Sequence, residues 1–191
     1  MTLDLRSPYF FRTFLFVIFA ELMSLFGFLY PQFQTIAFFV VATLALAVTL
    51  KRLEWGILIL FAELVIGSKG YLFSFSIGGT EVSIRIALWI IVLAVWGAKY
   101  RQWSPRVWTW MRAWPVRMLI LLMIAVGVGA LRGWMHGNSF NTLFLDLNAW
   151  FFFALAGPVL TVYSERDAWE RLFHVLLASA AVGAGKVLLL L

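Results

Sequence analysis

Long apolar runs dominate this chain and restrict what it can fold into. Seven of them are candidates for crossing a bilayer: Phe11–Tyr30, Phe33–Leu50, Leu53–Gly67, Val82–Ala98, Val116–Leu131, Leu147–Tyr163 and Arg171–Leu191. A transmembrane helix needs roughly 20 such residues, because each rises about 1.5 Å across a hydrocarbon core of about 30 Å. Charged residues make up 13% of the 191-residue chain and hydrophobic residues 63%, whereas a soluble domain carries about 25% charged residues. The sequence therefore predicts an all-α, polytopic transmembrane helix bundle with about seven spans.

The distribution of Lys and Arg predicts how these spans are oriented. With the N-terminus in the cytoplasm, eleven basic residues fall on the inner side of the membrane, and the outer loops receive only Lys69 and Arg132. Cytoplasmic loops of membrane proteins carry an excess of Lys and Arg. We therefore predict a cytoplasmic N-terminus and a single transmembrane domain over residues 1–191, which we interpret as the N-terminal part of a longer polytopic protein.

Three connections between the spans carry structural patterns. Pro31 predicts a tight turn between the first two spans. In Tyr71–Ile84, aromatic residues and isoleucine alternate with leucine and serine before Gly78-Gly79, which predicts a small interfacial hairpin or re-entrant flap, or else an irregular loop. In Lys99–Arg117, Trp and Arg recur at helical spacing after a Ser-Pro pair, which predicts a short helix in the cytoplasmic interface.

Composition excludes several classes of site. The sequence contains no cysteine, which excludes disulfides, thiolate nucleophiles and cysteine-ligated metal centres. Its two histidines, His136 and His174, lie in different segments, so a two-histidine metal motif is absent. The net charge of +6 comes from bases beside apolar runs, which indicates lipid headgroups rather than nucleic acid as the partner. We expect no metal and no cofactor.

Placing a charged side chain inside a span costs free energy, so each such residue indicates a contact with another helix or a functional site. Glu21 and Glu63 are expected to face neighbouring helices, with Glu63 either protonated or paired with a base. Arg85 follows Glu81 by four residues, which allows a local ion pair on one helix face. The alternative for Arg85 is an anion site at the outer leaflet, shared with the two outer-loop bases, and the sequence leaves both open.

Three other charged residues lie near predicted helix ends. Asp146 is either the N-terminal cap of the sixth span or an outward-facing carboxylate that serves as a base. Glu54, at the start of the third span, complements the positive end of that helix. Lys186, near the outer end of the seventh span, is expected to extend its ammonium group outward to the headgroups.

The segment Leu53–Tyr163 resembles the N-terminal half of the O-antigen ligase and polymerase-like family of bacterial envelope proteins. The resemblance lies in the order of five features: a helix with a late acid, an outer Gly-Ser-Lys-Gly-Tyr segment, a Ser-Ile-Arg-Ile helix, an outer Leu-Arg-Gly, and an Asp-Leu-Asn-Ala-Trp helix. The stretches that carry it are LEWGILILFAELVIGSKGYLFSFSIGGTEVSIRIALWIIVLAVW and LRGWMHGNSFNTLFLDLNAWFFFALAGPVL.

The resemblance implies a multi-span glycosyl transferase of the bacterial inner membrane. Such enzymes move a glycan from a polyprenyl-pyrophosphate carrier to an acceptor glycolipid or growing polysaccharide at the periplasmic face, and they need neither ATP nor an obligatory metal. By position, Lys69, Arg85 and Arg132 match substrate-binding bases that hold the donor and stabilise its departing pyrophosphate. Asp146 is the candidate catalytic residue for assisting the acceptor hydroxyl.

Members of that family are considerably longer and carry a large periplasmic loop with essential Arg and His residues. That loop is absent from this sequence, so we expect the chain alone to be catalytically incomplete. Two alternatives stay open. One is a transporter or flippase component in which Glu21, Glu63 and Arg85 line a pathway, although no matched inverted halves with paired broken helices are evident. The other is a non-catalytic membrane scaffold.

Overall fold

The computed structural model describes residues 8–67, 73–77, 80–99, 109, 112–163 and 166–190. Helices dominate these residues, in agreement with the all-α class, and a two-stranded sheet accompanies them. In chain order the elements are α1 (Pro8–Leu29), α2 (Pro31–Lys51), α3 (Leu53–Ile66), β1 (Ser74–Ile77), β2 (Thr80–Ser83), α4 (Ile84–Lys99), α5 (Trp114–Met135), α6 (Phe140–Phe151), a 3-10 turn (Phe152–Leu155), α7 (Ala156–Val162) and α8 (Arg166–Leu190).

Each of the seven predicted spans coincides with a helix or, for the sixth, with a pair of helices. Within the described ranges, five helices are long and apolar enough to cross a membrane: Tyr9–Leu29, Gln32–Lys51, Trp114–Met135, Thr142–Val162 and Asp167–Leu188. α3 and α4 contain 14 and 16 residues. They rise roughly 21 and 24 Å, less than the hydrocarbon core of about 30 Å. The protein is therefore a helical membrane bundle with five spans supported by length and composition, and the count of seven stays a prediction.

Local residue chemistry explains where the first three helices meet. Pro31 occupies the first turn of α2, where its missing N–H removes no helical hydrogen bond. The chain therefore turns at Tyr30, as the sequence predicts. Arg52 adopts an extended backbone with φ −144° and ψ 113°, and this single residue separates α2 from α3.

The first of two compact units comprises residues 1–95 and 162–191. Within it, α8 returns from much later in the chain to pack against α1 and α3, and α2 also packs against both of those helices. Eight of the 14 residues of α3 are buried, and Ile57 and Leu60 are completely inaccessible. The short helix α3 therefore forms the core of this unit.

Side-chain contacts bring matching ends of three helices together. Arg171, in the second turn of α8, pairs with Glu54 at the start of α3. Tyr9, at the start of α1, lies close enough to Arg171 for an electrostatic interaction. The starts of α1, α3 and α8 therefore lie at one end of the unit. These helices coincide with the first, third and seventh predicted spans, which in an alternating topology all begin on the same side of the membrane.

The connection after α3 contains the hairpin that the alternating sequence predicts. β1 and β2 are antiparallel, with Ser74 opposite Ser83 and Ile77 opposite Thr80. Phe75 of β1 packs against two rings of α2, Phe38 at a centroid distance of 4.6 Å and Phe39 at 5.2 Å. The hairpin is therefore anchored to α2, and the alternative of an irregular loop is wrong.

The second compact unit comprises residues 96–161. α5 and α6 pack against each other, and Ser139 caps α6 by accepting a hydrogen bond from the Thr142 N–H at 3.2 Å. Trp96 Nε1 donates to Thr161 Oγ1 at 3.1 Å. A β-carbon on Gly157 would lie 2.9 Å from the indole ring of Trp96, so the glycine provides the space that the ring fills.

The prediction that Asp146 caps the sixth span is wrong. The helix begins at Phe140 with Ser139 as its N-cap, so Asp146 lies inside α6. The apolar run beginning at Leu147 marks the part of the helix suited to lipid, whereas the hydrogen-bonded helix starts earlier, among polar residues. Hydropathy therefore located the span but not its first turn.

The sixth span is also not a continuous α-helix. The 3-10 turn Phe152–Leu155 interrupts it between α6 and α7. Pro158, in the first turn of α7, lacks the N–H that would bond the Ala154 carbonyl four residues earlier. The apolar pattern of the sequence carried no sign of this interruption. The predicted interfacial helix in Lys99–Arg117 falls largely on residues 100–108 and 110–111, outside the described residues.

Candidate functional site

Arg85 lies in the first turn of α4 and reaches the C-terminal end of α3. Its Nε donates to Glu63 Oε2 at 2.7 Å, and its Nη2 donates to the Gly67 carbonyl. The last carbonyls of a helix carry a partial negative charge, so both partners favour a cation here. We call Glu63, Gly67 and Arg85 the Arg85 clasp.

The local pair of Arg85 with Glu81 that the sequence allowed does not form. Glu81 belongs to β2, and the helix begins only at Ile84, so the four-residue spacing does not place the two side chains on one helix face. The expectation that Glu63 pairs with a base is confirmed, with Arg85 as that base. The partner is 22 residues away, beyond what local spacing indicates.

The clasp is buried more deeply on its acidic side than on its basic side. The Glu63 side chain is 4% exposed and the Arg85 side chain 20%. Removing one partner of a buried ion pair costs about 3–5 kcal/mol, because the other charge is left uncompensated. The two residues therefore depend on each other in the folded protein.

Gly67 makes this close arrangement possible. A β-carbon at this position would lie 2.6 Å from Arg85 Nη2 and 2.8 Å from Glu63 Oε1. A β-carbon essentially never lies within 3.0 Å of another side chain's atoms in real structures, so any side chain here would displace one of the two charged groups. Glycine, which has no β-carbon, is therefore the residue that fits at the end of α3 beside the two charged groups.

The guanidinium of Arg85 keeps part of its hydrogen-bonding capacity. It has five N–H groups, and two of them bond Glu63 and Gly67 along one edge. Within the ranges that the structure describes, the remaining N–H groups have no protein partner. Nη1 and Nη2 together present a forked edge, which matches the oxygen spacing of a phosphate or carboxylate group.

An apolar groove of about 580 Å³ lies between α1, α2 and α3. Along α2 its lining extends from Phe33 to Val48, which corresponds to roughly 22 Å of helix. Phe73, just before the hairpin, also lines it, and Glu63 is its one charged lining residue among those described. The groove thus runs along most of α2 and includes the acidic member of the clasp in its wall.

The four residues that the family resemblance implicates are divided between the two compact units and the residues outside the described ranges. Arg85 belongs to the first unit, and Arg132 and Asp146 belong to the second. Lys69 lies outside the described residues. Arg132 is exposed in the last turn of α5, and no ion pair joins it to Asp146 in the described part of the chain. A shared donor site therefore stays a prediction.

Two further ion pairs attach α8 to the rest of the first unit. Lys186 Nζ lies 2.8 Å from Glu21 Oε2, and Arg171 Nε lies 2.5 Å from Glu54 Oε1. The expectation that Glu21 faces another helix is confirmed. The expectation that Lys186 extends to the headgroups is wrong, because it turns instead to the carboxylate of α1. These partners are 165 and 117 residues apart, so no local pattern indicates them.

The described histidines bond helix carbonyls. His174 Nδ1 lies 2.7 Å from the Glu170 carbonyl, and His136 Nδ1 lies 2.8 Å from the Arg132 carbonyl. Among the residues that the structure covers, no group of three or more His, Asp or Glu side chains is placed to hold a metal ion.

No protein-family model, curated protein or solved structure matches the chain.

Proposed function

We propose that the chain forms the N-terminal membrane part of a glycosyl transferase of the O-antigen ligase type in the bacterial inner membrane. In this proposal the protein transfers a glycan from a polyprenyl-pyrophosphate carrier to an acceptor sugar, on a glycolipid or a growing polysaccharide, at the periplasmic face. The observation that carries the proposal is an apolar groove whose wall includes Glu63, the residue that bonds Arg85 Nε and leaves the Nη1–Nη2 edge without a partner among the described residues.

The chemistry of the donor matches these two features. A polyprenyl pyrophosphate combines a long branched hydrocarbon with a group that bears several negative charges. Inside a bilayer, a groove binds such a hydrocarbon through van der Waals packing, because lipid offers no hydrophobic driving force. The free edge of the Arg85 guanidinium suits bidentate contact with phosphate oxygens.

The reaction requires charge stabilisation on its leaving group. A bond forms between the acceptor hydroxyl oxygen and the anomeric carbon of the donor sugar, and the bond from that carbon to the pyrophosphate oxygen breaks. The electron pair stays on the pyrophosphate, and the hydroxyl proton passes to a base. In the proposal Arg85, with Lys69 and Arg132, stabilises the departing anion, and Asp146 is the candidate proton acceptor.

The proposal is tested on the full-length protein in nanodiscs by titration with polyprenyl pyrophosphate. We expect Arg85→Ala to weaken donor binding at least roughly tenfold, since a hydrogen bond to a charged group contributes about 1.5–3 kcal/mol. Because Glu63 would then be buried without its base, the double variant Glu63→Gln with Arg85→Gln is measured beside it. That variant removes both charges together and should keep the fold while losing donor binding.

The matched control is Arg12→Ala, which removes an exposed base from the start of α1 on the predicted cytoplasmic side. Donor binding should be unchanged in this variant. Wild-type affinity in the folded Glu63→Gln, Arg85→Gln double variant would remove Arg85 from the donor site and overturn the proposal.

One observation favours the alternative of a transporter component. The 3-10 stretch Phe152–Leu155 lies inside a span, and a mid-helix stretch of this kind often marks a functional hinge. Against it, Glu21, Glu54 and Glu63 are each paired with a base and do not stand open to a pathway. Movement of a fluorescent glycolipid across proteoliposomes, without any glycan transfer, would favour this alternative over the transferase.

A further inference from the structure

Glu63 has no role in the proposed chemistry, although the protein places it in the wall of an otherwise apolar groove. A buried carboxylate in such a place is unfavourable unless it is paired. Replacing a buried ion pair with apolar residues is often neutral or stabilising. Stability alone therefore does not account for an acid and a base at this point.

The geometry of the clasp indicates what the acid does. Glu63 Oε2 accepts from Arg85 Nε, and the Gly67 carbonyl accepts from Nη2. Both partners contact the Nε–Nη2 edge of the planar guanidinium, so they fix its plane and leave the adjacent Nη1–Nη2 edge available to a ligand. An arginine side chain is otherwise flexible, and a group that is oriented before its ligand arrives loses less entropy on binding.

The burial of the two residues fits this arrangement. Glu63 is 4% exposed, whereas Arg85 is 20% exposed, so an approaching anion meets the guanidinium before the carboxylate. The carboxylate charge nevertheless opposes anion binding, because two negative charges a few ångströms apart repel each other. Glu63 therefore has two opposite effects on an anion, favourable through orientation and unfavourable through charge.

We infer that Glu63 is a positioning residue, which, together with the Gly67 carbonyl, holds the Arg85 guanidinium so that its free edge receives a phosphate oxygen pair of a lipid-linked pyrophosphate. This inference rests on the proposed function, because it assigns the donor phosphate as the group that Arg85 binds. It adds a residue that acts through Arg85 and does not itself touch the donor.

Two substitutions at position 63 separate orientation from charge. Glu63→Gln keeps an oxygen that accepts from Nε and removes the negative charge, so we expect it to bind polyprenyl pyrophosphate roughly three- to tenfold more tightly. Glu63→Ala removes the acceptor and the orientation, so we expect donor binding roughly tenfold weaker. If Glu63 contributed only to stability, there would be no reason for the affinity for the donor to rise in one variant and fall in the other.

A second measurement needs no donor. In the full-length protein without ligand, modification of Arg85 by phenylglyoxal, followed by mass spectrometry, reports how freely its guanidinium moves. We expect faster modification in Glu63→Ala than in wild type, little change in Glu63→Gln, and an unchanged rate at exposed Arg12 in all three proteins. Equal modification rates at Arg85 in wild type and Glu63→Ala would overturn the positioning role.

The two proposals fail in different ways. If the folded Glu63→Gln, Arg85→Gln variant loses donor binding while Glu63→Gln and Glu63→Ala change it in the same direction, the positioning role is wrong and the proposed function stands. If the double variant keeps donor binding, the proposed function is wrong, and the inference about the donor fails with it. Inorganic pyrophosphate serves as the second probe: the same opposite shifts with it assign the effect to the phosphates rather than to the lipid chain.

Discussion

Gly67 shows how one residue without a side chain determines the arrangement of two charged ones. It ends α3 at the point where Glu63 and Arg85 meet, and a β-carbon there would come within 2.8 Å of a carboxylate oxygen and 2.6 Å of a guanidinium nitrogen. A methyl group would therefore separate the charges or shift the start of α4. In either case a buried charge loses part of its compensation.

We expect Gly67→Ala to destabilise the folded protein by about 1–3 kcal/mol, the usual range for inserting a group into a filled space. Thermal unfolding in detergent, followed by circular dichroism, measures the change. The matched control is Gly97→Ala in α4, where a β-carbon meets no atom within 4 Å. There, alanine's higher helix propensity should hold stability constant or raise it by up to about 1 kcal/mol. Equal effects at the two positions would contradict the crowding at Gly67.

At the scale of single residues, the sequence predicted which side chains were unusual but not which ones they contact. Glu63 was expected to be either protonated or paired with a base, and Glu21 to face a helix, because a charge in lipid is costly wherever it lies. The identity of the base depends on the tertiary path of the chain. Arg85 pairs with Glu63 because the hairpin returns α4 to the end of α3, and no local spacing contains that information.

At the scale of elements, α8 is held at two points by ion pairs. Arg171 contacts α3 and Lys186 contacts α1, and their separation of 15 residues corresponds to roughly 22 Å along the helix. Two fixed points at that separation define both the rotation and the height of α8 against its neighbours. The pairs therefore specify how this helix docks.

We expect reversal of the charge on Glu21 alone to destabilise the protein, and reversal of the charges on both Glu21 and Lys186 to restore its stability. Glu21→Lys places two ammonium groups together and should destabilise the protein, whereas Glu21→Lys combined with Lys186→Glu recreates the pair. A double-mutant cycle on unfolding in detergent should give a coupling energy of about 0.5–3 kcal/mol, the range for residues in contact. Additive effects of the two substitutions would show that the contact contributes nothing to docking.

Sequence patterns predicted some of the observed helices and strands and missed other features of them. Apolar runs predicted the positions of the helices, and the alternating segment before Gly78-Gly79 offered the hairpin as one of its alternatives, because these patterns report local periodicity. They did not predict the 3-10 turn at Phe152–Leu155, which arises where Pro158 removes a hydrogen bond. The apolar run Leu53–Gly67 is already short for a span, but the sequence did not show that α3 is buried, because a buried helix and a lipid-facing helix look alike in composition.

At the scale of the whole molecule, the orientation of the bundle in the membrane is open to direct measurement. Because the sequence contains no cysteine, a single introduced thiol reports one position without background. We expect Gln32→Cys and Asn138→Cys to react with a membrane-impermeant maleimide added outside cells or spheroplasts. Ala113→Cys should react only after permeabilisation, because the excess of bases places it inside.

Equal reaction of all three thiols in permeabilised cells provides the control for accessibility. Labelling of Ala113→Cys from outside would reverse the orientation and, with it, place the predicted outer bases in the cytosol. The proposed periplasmic chemistry would then be excluded.

The return of α8 to the first helices also has a consequence for synthesis on the ribosome. Glu21 emerges 165 residues before Lys186, an interval of roughly 8–33 s at about 5–20 residues per second. During that interval the Glu21 carboxylate of α1 has no Lys186 with which to pair. Glu54 of α3 likewise emerges 117 residues before its partner Arg171. The early helices are therefore synthesised before either of the ion pairs that hold α8 can form. A stalled chain released before α8 should be a preferred substrate for membrane quality-control proteases.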